Sequence, residues 1–356
     1  MSATQPLLQL ASRLVTPLLP EDYAELINPL WTTRGLRARV EQVTPETADS
    51  ASLTLRPGPG WQGHRAGQFV RVGVDVDGVR HWRCYSLSSA PEQSGGHLRI
   101  TVKAIPGGRV SQHLVHAITP GSVLELSQAQ GEFTWPAAMP ERALFISAGS
   151  GITPVMAMLQ SAAARGTLPA TTLLHYAPRA DEVILGPALR ALAAAQPQLN
   201  LQLIHTREGG AHFHPAQLQG LCPDWREHAT WSCGPEALLS AVEQHWQAAD
   251  LAARLTVERF RARTATASAD AQGGNIRFTR SGVQAAGAAQ ESILDRAEQA
   301  GLAPAHGCRM GICHGCTARL ACGQVRDLRT GQVHGEADDL IQICVSAPAG
   351  DIEIEL

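Results

Sequence analysis

Between about residue 35 and residue 140, apolar and polar positions alternate in short runs broken by turn residues: "RARVEQV", "SLTLRPGPG", "QFVRVGVDVDG", "HWRCYSLSS", "HLRITVKAI" and "SVLELSQAQG". A period of two puts every second side chain on one face of a strand, so six closely spaced runs predict an antiparallel barrel or sandwich over 35–140. The pattern then changes. "RALFISAG" is continuously apolar, and further strands are read at "TTLLHYA", "LQLIHT" and "ATWSC", with helices at "TPVMAMLQSAAARG", "PALRALAAAQ" and "PEALLSAVEQHW". Buried strands alternating with helices predict an α/β domain on a parallel sheet over 141–261. Thr153 is expected to N-cap the first of these helices, with Pro154 in its first turn and Gly166 just past its end.

The ends of the chain read differently. Within an N-terminal extension, 1–34, "LLQLASRLVTPLL" sets apolar residues at 7, 8, 11, 14, 15 and 18, the stripe of a short amphipathic helix that Pro17 interrupts. Such a helix packs on the first domain or touches a partner or membrane surface. The small, polar "ARTATASADAQGGN", 262–275, reads as a linker. Residues 276–356 then carry a hairpin, "IRFTRSG" with "VQAAGAAQ", a helix over "ESILDRAEQAG", a loop rich in cysteine and glycine, and a last strand pair ending in "DIEIEL". The fold class is therefore multidomain: an antiparallel β-barrel, an α/β parallel-sheet domain and a small α+β domain.

Composition narrows the classes. A 356-residue chain with 44% hydrophobic and 17% charged residues and a formal charge of -3 describes a soluble globular protein without bulk attraction to nucleic acid. "MSATQPLLQL" lacks the basic region and apolar core of a secretion signal, and no apolar run approaches the roughly 18 residues that span a bilayer. A cytoplasmic location is expected. Eight cysteines in a reducing compartment, five of them beyond residue 305, favour metal ligation or redox chemistry over disulfides.

Cys308, Cys313 and Cys316 stand in the spacing C-x4-C-x2-C, and Cys344 follows after 27 residues. That is the plant-type arrangement for a 2Fe-2S cluster. One loop must wrap three thiolates around a compact anionic group, and Gly307, Gly311 and Gly315 allow the tight conformations this needs. Arg309 is expected to add positive charge nearby and raise the reduction potential. A structural zinc site would more naturally show paired C-x2-C knuckles, and only one is present. Cys322 fits no ligand slot and reads as a spare thiol, while Cys84 and Cys222 read as ordinary half-buried residues.

A cluster takes electrons singly, which raises the question of what splits a hydride. "RCYSLSS", 83–89, resembles the R-x-Y-S flavin motif of the ferredoxin-NADP reductase superfamily. The resemblance implies that Arg83 binds flavin phosphate, that Tyr85 lies against the isoalloxazine and that Ser86 approaches N5. It also implies that Leu87, Ser88, Val102 and Lys103 line the flavin. "GGRVSQHL" resembles the second phosphate segment, with Gly107, Gly108, Val110 and Ser111 turned to a pyrophosphate at a helix start, which favours FAD over FMN.

The turn "SAGSGITP" is not the G-x-G-x-x-G fingerprint, yet the same superfamily binds its nicotinamide dinucleotide there, which implicates Gly149, Gly151 and Thr153. "CGP", Cys233, Gly234 and Pro235, resembles the companion motif near the nicotinamide. Arg179 and Arg207 follow successive strands, where guanidinium groups suit a 2'-phosphate; this favours NADPH over NADH. "ERF", Glu258 to Phe260, resembles the segment ending the domain, with Phe260 near the flavin or simply in the core. His212 and His214 look like a metal pair without a third ligand and are read as a loop before a helix.

The resemblance spans 35–356, with a C-terminal β-grasp ferredoxin domain, in the order of single-component reductases that feed oxygenases, hydroxylases and fatty-acid desaturases. "LINPLW" and "CRMGICHGC" are most similar to the electron-transfer partners of bacterial acyl desaturases. The expected activity is an NAD(P)H-dependent oxidoreductase with FAD and a 2Fe-2S cluster, chemistry centred on Tyr85, Ser86 and Cys233, and an acceptor oxygenase or membrane-bound desaturase as partner. The alternatives are a redox-sensing or electron-storing module and a flavin-only diaphorase with a zinc-bound tail. A flavohaemoglobin-type dioxygenase is set aside for want of a globin region.

Overall fold

A computed structural model describes residues 20–260 and 272–356, apart from 93, 94, 308, 312 and 313. The amphipathic stretch 7–19 and most of the linker lie outside the described residues. Among the described residues, those up to 80 with those of 85–258 form one compact unit, and 81–84 with those from 259 onwards form a second.

The first described element of the first unit is a short helix, α1 (Pro20–Ile27), that the apolar pattern did not predict. Six strands follow: β1 (Leu36–Thr47), β2 (Ser50–Pro57), β3 (Phe69–Val76), β4 (Val79–Ser86), β5 (Leu98–Lys103) and β6 (Val123–Leu126). They match the six alternating runs one for one and form an antiparallel sheet in the order β4-β3-β6-β1-β2-β5. The alternation does what a period of two requires: Ala38 and Val40 are fully buried while the alternating Arg37 and Arg39 are not. An isolated bridge from Leu87 to Ile100 brings the end of β4 back towards β5 and curls the sheet into a half-barrel around Leu53, Leu55, Val72 and Leu98. Helix α2 (Arg109–His116) places Val110 and Leu114 on that core.

The second half of this unit alternates β7 (Arg142–Ala148), α3 (Ile152–Ala164), β8 (Ala170–Ala177), α4 (Gly186–Ala195), β9 (Leu199–His205), α5 (Pro215–Leu221), β10 (Ala229–Cys233), α6 (Glu236–Ala248) and β11 (Leu255–Glu258). All pairings are parallel, in the order β11-β10-β7-β8-β9. The sheet is covered on both faces: Phe145 joins one apolar cluster, Leu144 and Ile146 the other. The chain leaves β7 for β8 on one side and later returns to β10 on the other. That makes the carboxyl end of β7 a topological switch point, the place where open α/β sheets leave a crevice for ligands.

Two expectations about α3 meet different outcomes. Gly166, at φ +66, follows the last turn, and its N–H bonds Ala163 O, as the stop signal required. Thr153 is not the N-cap. A tight 3-10 turn, Gly149–Gly151, feeds directly into the helix, so Gly151 caps it and Thr153 falls inside the first turn, where its hydroxyl donates back to Ser150 O at 2.9 Å.

The second unit contains β12 (Gly274–Phe278), β13 (Gln284–Gly287), α7 (Ile293–Gln299), β14 (Thr317–Cys322), β15 (Val325–Asp327), β16 (Val333–His334), β17 (Leu340–Gln342), β18 (Ser346–Pro348) and β19 (Ile352–Ile354). A five-stranded mixed sheet, β13-β12-β19-β14-β17, pairs β12 and β19 in parallel, and β16-β15-β18 forms a small second sheet. Helix α7 sets Ile293, Leu294 and Ala297 against Ile276, Phe278, Leu320 and Ile354. Strand β12 starts at Gly274, inside the segment read as linker.

Candidate redox site

Two turns meet at the switch point. A Cβ added to Gly151 would lie 2.1 Å from Cys233 O and 2.8 Å from Gly234 N, a separation no side chain tolerates. Gly151 therefore serves the seam that holds "SAGSGITP" against "CGP". Gly149 differs: its φ is +52 and nothing lies within 4 Å of where its Cβ would be, which leaves its backbone open to a ligand. Gly234 closes on Ala148 N, and Pro235 caps α6.

Cys233 and Glu258 are register partners at the ends of β10 and β11. Glu258 is half-buried as a residue, but its Oε2 is fully enclosed, so its stem faces outward and its carboxyl inward. Burial pushes this carboxyl up to about 8, offset in part by the neighbouring Ser86 hydroxyl. Burial, and next Glu258, push the Cys233 thiol up. Glu258 Oε2 and Ser86 Oγ are both buried, and beyond their approach to each other neither has a hydrogen-bond partner among the described residues. Unsatisfied buried polar atoms are costly, so a pair of them at a switch point fits a bound group with a hydrogen-bonding edge, as a flavin has. Glu258 entered the sequence reading only as part of a terminal segment. A strand-ending acid beside the "CGP" strand was the signal that could have found it.

The other flavin candidates divide into core and rim. Tyr85 packs partly against the barrel core; Leu87, Val102 and Val110 lie within it. Ser88 Oγ meets Thr101 Oγ1 at 2.8 Å, and its carbonyl accepts from Arg99 at 2.7 Å. Lys103 pairs with Asp49 at 2.8 Å. Ser111 Oγ accepts from Ile105 N–H and donates to Gly108 O, both at 3.2 Å, so its hydroxyl fastens the turn. Gly107, at φ +72 with open space around it, and the free N–H groups at the start of α2 remain for a phosphate. Arg83 belongs to the second unit, where Nη1 donates to Trp82 O at 2.8 Å and lies 2.8 Å from His306 Nε2. Phe260 is 40% exposed, so the core-aromatic alternative fails.

The backbone segments carrying Arg179 and Arg207 are brought together. Thr206 N–H bonds Ala177 O at 2.9 Å and Arg207 N–H bonds Pro178 O at 2.8 Å, which ties the loops after β8 and β9 together. His214 accepts from Ala216 N–H and caps α5, in agreement with the loop reading.

In the second unit, Cys316 precedes β14 and Cys344 lies between β17 and β18; both are buried. The two thiols adjoin: a hydrogen bond from Cys344 is the main cause that brings Cys316 down to about 7, against its burial. Cys308 and Cys313 lie outside the described residues. Between them the backbone is left-handed at Arg309 (φ 58) and Gly311 (φ 72), as it is at His314 (φ 53) beyond Cys313. Gly311 O accepts from Gln342 at 3.0 Å and from Arg329 at 3.2 Å. Adjacent thiols, one of them about half ionised at neutral pH, near a backbone that is left-handed at Arg309, Gly311 and His314, fit a thiolate-held cluster. Arg309 is ion-paired with Asp295 at 3.1 Å and with Glu298, and its charge still helps to lower the Cys316 thiol. Cys322 is exposed.

With this geometry in view, the comparisons are specific. Residues 38–135 match the Oxidoreductase FAD-binding domain, 145–244 the Oxidoreductase NAD-binding domain and 276–349 the 2Fe-2S iron-sulfur cluster binding domain. The chain is 44% identical to an NADPH oxidoreductase of Mycobacterium tuberculosis, over 98% of this chain and 91% of that one. The chain belongs to the FAD- and NAD-binding oxidoreductases that carry a 2Fe-2S domain. It is 29% identical to the reductase subunit of stachydrine N-demethylase of Rhizobium meliloti, over 88% and 94% of the two chains. Its fold matches phthalate dioxygenase reductase with a TM-score of 0.61 at 21% identity, covering 90% of this chain and 97% of that one. This oxidoreductase is thus a reductase with FAD-, NAD- and 2Fe-2S-binding domains in that order, like reductase subunits of oxygenases. No helix among its described residues is long and apolar enough to cross a membrane.

Proposed function

We propose that the protein passes reducing equivalents from NADPH through FAD to a 2Fe-2S cluster on Cys308, Cys313, Cys316 and Cys344, and from there to an oxygenase component. The observation that carries this reading is the enclosed set of Ser86, Cys233 and Glu258 at the switch point, in a chain whose last domain holds adjoining thiols. Bound FAD supplies the conversion of a two-electron hydride into single electrons. The residues do the rest. The neutral Glu258 carboxyl holds a proton beside Ser86, where the family resemblance puts N5. The seam between Gly151 and Cys233 closes one wall against water. Gly107, Gly108 and the start of α2 receive the flavin pyrophosphate.

Arg179 and Arg207 receive the 2'-phosphate. The pairing of Arg179 with Glu182 is long, 3.8 Å, and half-exposed, so it competes weakly with a phosphate. The test is steady-state cytochrome c reduction with NADPH and with NADH. Arg207→Ala is expected to raise the KM for NADPH by about tenfold or more, the worth of one charge-assisted hydrogen bond, and to leave NADH unchanged. Equal kcat/KM for the two nucleotides in the wild type would remove the NADPH assignment.

A second reading, with a membrane-bound desaturase as acceptor, has one observation in its favour. Arg37 bonds Glu25 at 3.1 Å and Arg39 bonds Asn28 at 3.2 Å, which ties α1 and the turn after it to the barrel, yet Leu26 and Ile27 are 75% and 76% exposed. Trp31 is exposed beside them. This reading predicts that the protein floats with phospholipid vesicles and that Leu26→Ser with Ile27→Ser abolishes flotation. Flotation absent in the wild type would leave the soluble oxygenase reading.

A further inference from the structure

At the amino end of the parallel sheet, opposite the nucleotide turns, a second group of side chains converges. Cys222 follows α5, Asp224 precedes a 3-10 turn (Trp225–Glu227), and His228 precedes β10. Cys222 Sγ lies 3.6 Å from Asp224 Oδ1 and 3.9 Å from His228 Nε2, and the donor atoms of all three lie within 4.8 Å of one another. Cys222 was read from sequence as an ordinary half-buried residue; it is 2% exposed.

The hydrogen-bond roles make this group more than a buried thiol with polar neighbours. His228 Nδ1 is 3.0 Å from Asp224 O, and a carbonyl only accepts, so Nδ1 carries the proton and Nε2 is left with its lone pair towards the sulfur. Arg142 holds Asp224 Oδ2 and also pairs with Glu227 at 3.0 Å, which leaves Oδ1 for the sulfur. The Thr172 hydroxyl reaches the sulfur as well. Two acceptors, a carboxylate oxygen and an imidazole nitrogen, therefore face a thiol with one hydrogen to give. A cation satisfies all three donor atoms at once.

We propose that Cys222, Asp224 and His228 form a binding site for a divalent cation of the zinc class, with water as the fourth ligand. The set of one sulfur, one nitrogen and one oxygen suits zinc. Zinc bonds of about 2.3 Å to sulfur and about 2.0 Å to nitrogen or oxygen give tetrahedral edges of about 3.5 Å. The two measured edges to sulfur are already close to that. Arg142 on Asp224 and the Asp224 carbonyl on His228 are the outer partners that fix ligand orientation. Asp224 is exposed, which gives the ion an entry and the water a place. Burial, with Asp224 alongside, pushes the Cys222 thiol up to about 11, so it keeps its proton until an ion binds; the proton then leaves to solvent. The site lies away from the electron path and pins the loop between α5 and β10 to β7.

The test uses the holoprotein, with flavin and cluster in place, titrated with Zn2+ in metal-free buffer against a chromophoric chelator. One zinc site per chain is expected, weakened by about 100-fold or more in Cys222→Ala and in His228→Gln, and by about tenfold in Arg142→Gln. Co2+ is expected to give a thiolate charge-transfer band in the difference spectrum of the wild type and none in Cys222→Ala. Flavin absorbance and ferricyanide turnover verify that each variant folds; if Cys222→Ala does not, Asp224→Asn, at an exposed position, carries the test. No zinc binding by the holoprotein, or equal affinity in the folded variants, overturns the proposal. So does zinc uptake that persists in the variants and vanishes as the iron content rises, because that marks the cluster thiols as the site.

Discussion

Glu258 illustrates how much one enclosed side chain can determine. Its carboxyl titrates near 8 in the folded protein against 4.5 in an ordinary environment, so between those values the folded state binds a proton that the unfolded state has released. Stability contributed by this group is therefore intact below pH 4.5 and is lost as pH rises towards 8. Glu258→Gln is expected to remove that loss: the difference in Tm between variant and wild type should grow from pH 5 to pH 8. A constant difference would mean that the carboxyl ionises normally. Gly151→Ala tests the seam. A methyl group 2.1 Å from Cys233 O must displace the "CGP" turn, at a cost of about 1–3 kcal/mol, and NADPH-driven turnover should fall more steeply than stability does. Gly151 was legible in the sequence as part of the turn that the resemblance assigns to the nicotinamide dinucleotide. What approaches it is a backbone carbonyl, which only the folded chain reveals.

At the level of elements, what could be read depended on which faces are buried. The six barrel strands each bury one face, so their period of two survives in the text; β7 stands out by its apolar run Ala143–Ile146, whereas β8 and β10 are as buried but carry Thr171, Thr172, His175, Thr230 and Ser232 among their apolar residues. Helix α1, the seven-residue α5 and the four-residue edge strand β11 bury too little to leave a period, and none of the three was delimited in advance. Thr153 shows a different limit: a cap signal cannot anticipate a 3-10 turn that starts the helix two residues early. Helix α7 has a true cap, Ser292 Oγ accepting from Asp295 N–H at 3.1 Å. Ser292→Ala is expected to lower the stability of the C-terminal unit by about 1 kcal/mol, measured as a shift in denaturant midpoint followed through the visible absorption of the cluster. An unchanged midpoint would show that the cap is replaced by water.

Over the whole molecule, the cysteine spacing and the flavin motif were legible because each is a local pattern with its own chemistry. The pairing of Glu258 with Cys233 was not, because parallel neighbours are remote in sequence. Cys316→Ser is expected to leave NADPH-driven ferricyanide reduction in place and to lower cytochrome c reduction by at least about tenfold, since single-electron delivery then lacks its cluster. The central claim, that one polypeptide turns a hydride into single electrons, is tested most directly by mixing the purified holoprotein anaerobically with NADPH in a stopped flow. The account predicts that bleaching of the flavin is followed by bleaching of the cluster, with the paramagnetic signal of a reduced 2Fe-2S centre in the frozen product. A fully reduced flavin beside a cluster that stays oxidised, with cytochrome c still reduced at the wild-type rate, would contradict it.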